Sequence, residues 1–396
     1  MAQVAFILND QLVPTDHPER QALLASAYRT RTRPLCGCKD PGLPLYVSKV
    51  DDGSFLVKRM PFTGPQHDPQ CDCYEIPPEL SGRGALGQKA IEEDQDGGIT
   101  KLRLDFSLSK RGTAPIASPI KGQSTQAPTT KTDPAKLSVR SLLHFLYEDA
   151  GLNRWSPRMA GKRNWFVVRK YLLEAAEGKM SGRKAIVDSL LIPEPFSVEH
   201  KDDILRRRAR FFSDLKATAN NQPMGLMIGE VKAFEPARFG HRMIIKHMPD
   251  VPIYLADDIY RRMGKNYGTE LAFFAEDAQI HLLCITTFTR SATGNLQADT
   301  LSLMTVDAQW LPFENREELD LVEKYRATGR YFTKCLRYNL KSTEVLASIL
   351  LTDTETPTAV YLYPEVSDPA YQEKLDWVLT NSELPYELIN PNASSA

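Results

Sequence analysis

The sequence predicts an α+β multidomain protein built on a metal-stabilised N-terminal unit. Three observations carry that expectation. Four of the six cysteines fall between residues 36 and 73, on either side of a hairpin pattern. A Ser/Thr/Pro/Gly/Lys/Gln-rich stretch then covers 107–136. After it, apolar residues recur first at helical spacing and then in β-branched runs. With 396 residues, 42% of them hydrophobic, the chain can fill two or three cores. The expected division is a zinc-binding unit over 1–106, a flexible linker over 107–136, a basic helical module over 137–222 and a C-terminal α+β domain over 223–396.

In the first unit, Cys36 and Cys38 precede the strand residues Tyr46–Val47, and His67, Cys71 and Cys73 follow Phe55–Leu56–Val57. Asp51–Asp52–Gly53 between the strands is turn chemistry. A hairpin here returns the Cys-X-Cys end to the His-X3-Cys-X-Cys end, and thiolate plus imidazole donors suit tetrahedral zinc. Two ligand sets stay open: Cys36, Cys38, His67 and Cys71, or the four cysteines with His67 beside them. The first is preferred, because Gly64–Pro65 and Asp68–Pro69 favour a turn that carries His67 to the ion reached by Cys71. No His-Glu-X-X-His pattern is present, so a closed structural site is expected rather than a catalytic one. Residues 1–14 lack a basic start followed by a long apolar run, and no apolar stretch matches the thickness of a bilayer. Reduced thiols without an export signal point to the cytoplasm.

The next segment reads as helices. Ser138 caps one that runs through Val139, Leu142, Leu143 and Leu146 to Gly151, and a second covers 162–177. A third is expected over 182–191 and a longer charged helix over 198–219. Three short helices joined by Gly, Asn and Pro turns suit a winged-helix arrangement. Trp165 and Phe166 are assigned to its core. The net charge of −1 hides an asymmetry: residues 136–216 carry 17 Lys or Arg against 10 Asp or Glu, whereas 352–396 carry one lysine against eight acids. The basic block therefore suits a polyanion, with Arg154, Arg158, Lys162, Arg163, Arg169, Lys170, Arg206, Arg207, Arg208 and Arg210 as candidate phosphate contacts. The acidic tail is a candidate competitor for the same face.

From Met224 the pattern turns α+β. Strand-like runs are expected at 224–232, 241–248, 270–275, 279–289 and 299–306, with helices at 256–263 and 317–328. Strands near 331–338, 347–351 and 358–363, a helix over 368–379 and a strand at 386–389 close the chain. Glu230-Val231-Lys232 on the first run is half of a Mg²⁺-dependent nuclease site, and Asp353 is the first carboxylate of a second half. Each lacks its partner acid. The C-terminal domain is therefore expected to resemble a degenerate nuclease fold without its chemistry. No phosphate-binding Gly-rich loop and no Gly-X-Ser-X-Gly elbow occurs, which argues against an NTPase, a Rossmann oxidoreductase and a serine hydrolase.

Several segments together resemble an uncharacterised bacterial family associated with conjugative plasmids and integrative elements. They are Arg33-Pro-Leu-Cys-Gly-Cys, Lys58-Arg-Met-Pro-Phe-Thr-Gly with His67 and Cys71, Leu152-Asn-Arg-Trp, Gly161-Lys-Arg-Asn-Trp, Ile228-Gly-Glu-Val-Lys and Arg330-Tyr-Phe-Thr-Lys-Cys. The resemblance implies Cys36, Cys38, His67 and Cys71 as the ligands, because Cys73 falls where the family has a small polar residue. The combined expectation is a zinc-containing, non-enzymatic nucleic-acid-binding accessory protein, with DNA preferred. A Mg²⁺-dependent nuclease using Glu230, Lys232 or Asp353, and a protein-binding scaffold or inhibitor in competition between mobile elements, are the alternatives.

Overall fold

The computed structural model describes residues 5–50, 53–87, 89–94, 98–111, 133, 135–218, 220–363 and 369–391. The N-terminal unit holds β1 (Phe6–Leu8), β2 (Gln11–Val13), α1 (Arg20–Thr30), β3 (Leu35–Cys36), β4 (Leu43–Lys49) and β5 (Phe55–Arg59). They form one sheet in the order β2-β1-β3-β4-β5, with Leu24 and Ala27 of α1 packed on Phe6, Leu45 and Val57. The hairpin read from the sequence is β4–β5, where Val47 faces Val57. Asp51 and Asp52 lie outside the described residues, and Gly53 takes a left-handed φ of 86°. Next come β6 (Ile91–Glu93), β7 (Thr100–Leu102) and β8 (Ser109–Arg111). The expected linker thus opens with a strand, while its residues 112–132 and 134 lie outside the described ones.

α2 (Val139–Asp149), β9 (Arg154–Trp155) and α3 (Trp165–Ala176) follow. Oγ of Ser138 accepts from the Ser141 amide, as read from the sequence, and Oδ1 of Asn164 accepts from the Val167 amide, both at 3.1 Å, so α3 starts behind Asn164 rather than at residue 162. The helix expected over 182–191 does not form. In its place are β10 (Lys179–Ser181), β11 (Lys184–Ala185) and β12 (Leu190–Leu191). Gly178 and Gly182 adopt positive φ (74° and 61°), which breaks helical continuity, and Lys179 pairs with Thr100 of β7. Without that helix the winged-helix arrangement is not formed. The charged helix α4 (Lys201–Asp214) is shorter than the expected 198–219.

The centre of the molecule is a closed barrel. Its strands are β14 (Gly225–Pro236), β15 (His241–Ile245), β16 (Met248–Leu255), β17 (His281–Arg290) and β18 (Leu296–Val306), preceded by β13 (Asn221–Pro223), which pairs with β8. β14 pairs with β15, β15 with β16, β16 in parallel with β18, β18 with β17, and β17 back onto β14. α5 (Asp257–Asn266) and α6 (Gly268–Glu276) connect the third strand to the fourth. The run at 270–275 is therefore helix, not strand: it lacks a period of two, and Leu271 and Phe274 pack against the barrel's apolar filling. Met227, Met243, Ile253, Cys284 and Leu303 fill the interior, with Ile259 and Met263 of α5 beside them. Side chains alternate along each strand. Leu226, Ile228, Leu283, Ile285, Met304 and Val306 therefore face outward into a second core with α2 and α3. The helices of 137–222 and the barrel share that core, so a boundary at 222–223 would cut through it.

After β19 (Pro312–Phe313) and α7 (Arg316–Ala327) come β20 (Phe332–Lys334), β21 (Ile349–Leu351), β22 (Thr358–Leu362), α8 (Pro369–Thr380) and β23 (Tyr386–Ile389). The sheet order is β23-β22-β21-β20-β9, with β22 and β23 parallel. The acidic stretch supplies β22, α8 and β23, so most of it is folded structure, and residues 364–368 and 392–396 lie outside the described ones. The N-terminal unit docks here through Gly82, whose amide donates to Leu336 O at 2.8 Å and where a β-carbon would overlap the Arg337 carbonyl. Ile285 is fully buried between barrel and helices. Ile285→Ala should cost about 2–5 kcal/mol, read as a lower urea midpoint in which barrel and helical signals fall together.

Candidate metal centre and basic surfaces

Each donor of the cysteine cluster is placed by a different local device. Cys36 ends β3, where Leu43 of β4 pairs with it. His67 follows the 3-10 turn Gly64–Gln66, and Gly64 is required because a β-carbon would collide with Glu75. Turns closed by Cys71 N to Asp68 O (2.8 Å) and Tyr74 N to Cys71 O (2.9 Å) present Cys71 and Cys73. The ligand atoms of Cys36, His67, Cys71 and Cys73 all lie within 4.8 Å of one another, and three of these residues are buried. Sγ of Cys36 is 3.5 Å from Sγ of Cys71, which is 3.9 Å from Nδ1 of His67. The edge of a tetrahedral thiolate site is roughly 3.8 Å, given metal–sulfur bonds of about 2.3 Å. Sγ of Cys38 lies 3.3 Å from the same Nδ1. The tight group contains Cys73, and Cys38 stands at its edge.

The donor chemistry fits a cation. Contacts with Cys71 and Cys73 pull the Cys36 thiol down, while the contact with Cys36 pushes Cys71 and Cys73 up. Clustered thiols cannot all ionise without a positive counter-charge, and a metal ion supplies it. The Cys73 amide points at Cys71 Sγ (3.4 Å), and Thr63 Oγ1 lies 3.5 Å from His67 Nε2, contacts that orient both side chains.

The basic residues are largely committed elsewhere. Arg154 donates to the carbonyls of Asp72 (2.7 Å), Cys71 (3.4 Å) and Tyr74, so it clamps the metal loop. Arg163 donates to Leu152 O (2.8 Å), Gln309 O (3.3 Å) and Arg154 O, and Arg169 to Ile192 O (2.9 Å). On α4, Arg206 pairs with Asp203, Arg207 with Glu194 and Arg208 with Asp250. Arg158, Lys162, Lys170 and Arg210 are exposed. Trp165 is buried as expected, its Nε1 bonded to Pro193 O, but Phe166 is 62% exposed.

A model of the family described as "Protein of unknown function (DUF1173)" matches residues 6–385. The chain belongs to the DUF1173 family. No curated protein and no solved structure matches it. Among the described residues of this DUF1173 member, no helix is long and apolar enough to cross a membrane.

Neither carboxylate of the nuclease pattern is free. Glu230 is 3% exposed and accepts from Lys246 Nζ (2.6 Å), His281 Nδ1 (2.7 Å) and His247 Nε2 (3.2 Å). A bulge between Val231 and Ala233 breaks the alternation, and Lys232 is exposed to solvent while Lys246 takes the position beside Glu230. His281 stacks on Trp310 (4.2 Å) and His247 on Trp165 (5.2 Å). Sequence reasoning missed these histidines; the signal was the tight β15–β16 hairpin, which folds Lys246–His247 back onto β14. Asp353 accepts from Arg330 (2.8 Å) and the Tyr331 amide (2.9 Å).

Two outcomes follow from this geometry. Purified protein should hold one divalent ion per chain. If four ligands share ~10–16 kcal/mol, Cys36→Ser and Cys71→Ser should each weaken binding about 100-fold. Cys73→Ser should cost more than Cys38→Ser in a competitive chelator titration. Burial alone would raise the Glu230 carboxyl, but His247, His281 and Lys246 hold it well below its usual range. Its stabilising contribution is complete above the unfolded value of about 4.3 and is lost as pH falls towards the folded one. Denaturant midpoints should therefore drop below about pH 4.3, and Glu230→Gln should flatten that acid limb.

Proposed function

We propose that the chain is a zinc-containing, non-enzymatic nucleic-acid-binding accessory protein of a bacterial mobile element, and that it takes single strands across the open face of its barrel. The barrel carries this reading. A five-stranded closed barrel with its third and fifth strands parallel and helices between the third and fourth has the plan of OB-type barrels, which bind oligonucleotides on the second and third strands and adjoining loops. Here α2 and α3 cover the outer face of β14, β17 and β18, which leaves the β15–β16 side uncovered. The loop before β15 presents Phe239, 81% exposed, with the Arg238 guanidinium 5.4 Å from its ring. At its base, His241 and Tyr260 stack in parallel at 3.5 Å. The other end of β16 is bordered by α4, joined through Arg208 and Asp250 (3.0 Å), so the exposed Arg206, Arg207 and Arg210 flank the face. Aromatic stacking with flanking cations is how such surfaces hold single strands without reading sequence. Zinc suits the thiolate-rich cluster, which sits in the N-terminal unit and serves architecture. The mobile-element setting rests on the sequence resemblance.

Fluorescence anisotropy with oligothymidylate, duplex DNA and RNA over a salt series tests the reading. Single strands should bind with a steep salt dependence, without cleavage in Mg²⁺ or Mn²⁺. Phe239→Ala should weaken binding by about 1–3 kcal/mol, the value of one stacked base. Undetectable binding at low salt, or binding indifferent to Phe239, would overturn it.

A further inference from the structure

A second site lies away from the barrel's open face, between the metal unit and the α2–α3 connection. There a cavity of about 270 Å³ is lined by Arg154, Arg158, Lys162 and Arg163. These four cations come from ten consecutive residues, and among the described residues none of them has a carboxylate within ion-pairing distance. The hydrogen bonds of Arg154 and Arg163 go to neutral backbone carbonyls, which fix the guanidinium planes without an ion pair. Burial is the main influence on Arg163 and lowers its affinity for the proton, outweighing the opposing pull of Asp307.

The acids on the same wall make their closest contacts with other groups. Glu75 is engaged by Arg59 and Arg83, and Asp149 by Lys179 at 3.1 Å. Glu148 accepts from Tyr338 Oη at 3.1 Å, and burial pushes it up to about 7, so near neutrality it carries only part of a charge. Asp72 is exposed. Leu152, Val167 and Tyr171 supply an apolar wall. The volume lies just under the usual small-molecule range of roughly 300–1,000 Å³, which excludes a duplex and admits one compact ligand.

We propose that this cavity binds a small phosphomonoester, its phosphate held by the Arg154–Arg163 cluster and its organic part against the apolar wall. Several fixed guanidinium groups match a dianion with three acceptor oxygens better than they match a carboxylate. The phosphate belongs either to a free mononucleotide or to the 5′ end of a strand, and the two sources are separable.

The test is isothermal titration of the full chain with AMP, adenosine, inorganic phosphate, and pentathymidylate with and without a 5′-phosphate. The variant is Arg158→Ala/Lys162→Ala, at exposed positions that the fold does not use. AMP should bind while adenosine does not, and the double variant should weaken binding at least about tenfold, the worth of one charge-assisted hydrogen bond. Tighter binding of the 5′-phosphorylated strand than of the unphosphorylated one, lost in the double variant, assigns the site to strand ends, and AMP binding without that difference assigns it to a free nucleotide. Phe239→Ala should leave AMP binding unchanged, which separates failure here from failure at the barrel face. The proposal is overturned if AMP and phosphate fail to bind below ~10 mM (about −2.7 kcal/mol) and the 5′-phosphate adds nothing to strand binding. It is equally overturned if the double variant binds them as tightly as the parent chain.

Discussion

Strand β14 is the constraint on which the rest of the molecule depends. Its edges are hydrogen-bonded to β15 and β17, with β12 pairing at its start, so it has no free edge over the closure of the barrel. Its side chains alternate between two cores. Met227 and Val231 enter the barrel, while Leu226 and Ile228 meet α2 and α3. A one-residue slip would exchange these faces and put Glu230 in the wrong core. The Glu230 cluster guards that register, because only one alignment brings Lys246, His247 and His281 to the same carboxylate. Burying an ionised group is costly unless it is fully paired. The three donors offset that cost only in the register observed.

A second set of charges ties the metal unit to this body. Lys58 of β5 is buried and donates to the carbonyls of Glu174 and Glu177, both at 3.2 Å, at the end of α3. A cation there meets the negative end of the helix dipole, and burial lowers it to about 8 without removing its proton at neutral pH. Arg154 reaches the metal loop from the other direction, through three carbonyls. The loop geometry and the placement of Arg154 thus support each other. Through that arginine the cysteine–histidine cluster shapes one wall of the cavity, which Cys73 also lines.

Local patterns made part of this legible in advance. The β4–β5 hairpin, the Ser138 cap and most of the strands expected after residue 224 rest on short-range signals and are present. The misread segments are those where tertiary pairing decides. Residues 179–185 form a hairpin because β7 offers an edge, and 268–276 form a helix because the barrel's filling accepts Leu271 and Phe274. Barrel closure was invisible for a related reason. The pairing of β14 with β17 joins residues more than fifty positions apart, and no periodicity encodes it. The metal cluster was readable because cysteine is rare and its spacing is local. The choice between Cys38 and Cys73 was not, since it depends on how the loop after His67 turns.

The arginines show why counting charge along a chain misplaces an interface. Between residues 136 and 216 the excess is real, yet the fold divides it by use. Arg154, Arg163 and Arg169 donate to backbone carbonyls, a role for which the guanidinium's five donors suit it. Arg206, Arg207 and Arg208 stand on a helix beside the barrel and meet single carboxylates that a phosphate backbone could displace at little cost, because exposed ion pairs contribute about 0–1 kcal/mol. A sequence window cannot distinguish a cation bound to a carbonyl from one bound to a carboxylate. The first keeps its charge available in a fixed plane and makes a pocket. The second lends its charge to a surface until a stronger polyanion arrives. In the readings proposed above, the same basic block supplies two recognition elements of opposite character, a rigid cavity beside the N-terminal unit and an adjustable rim beside the barrel.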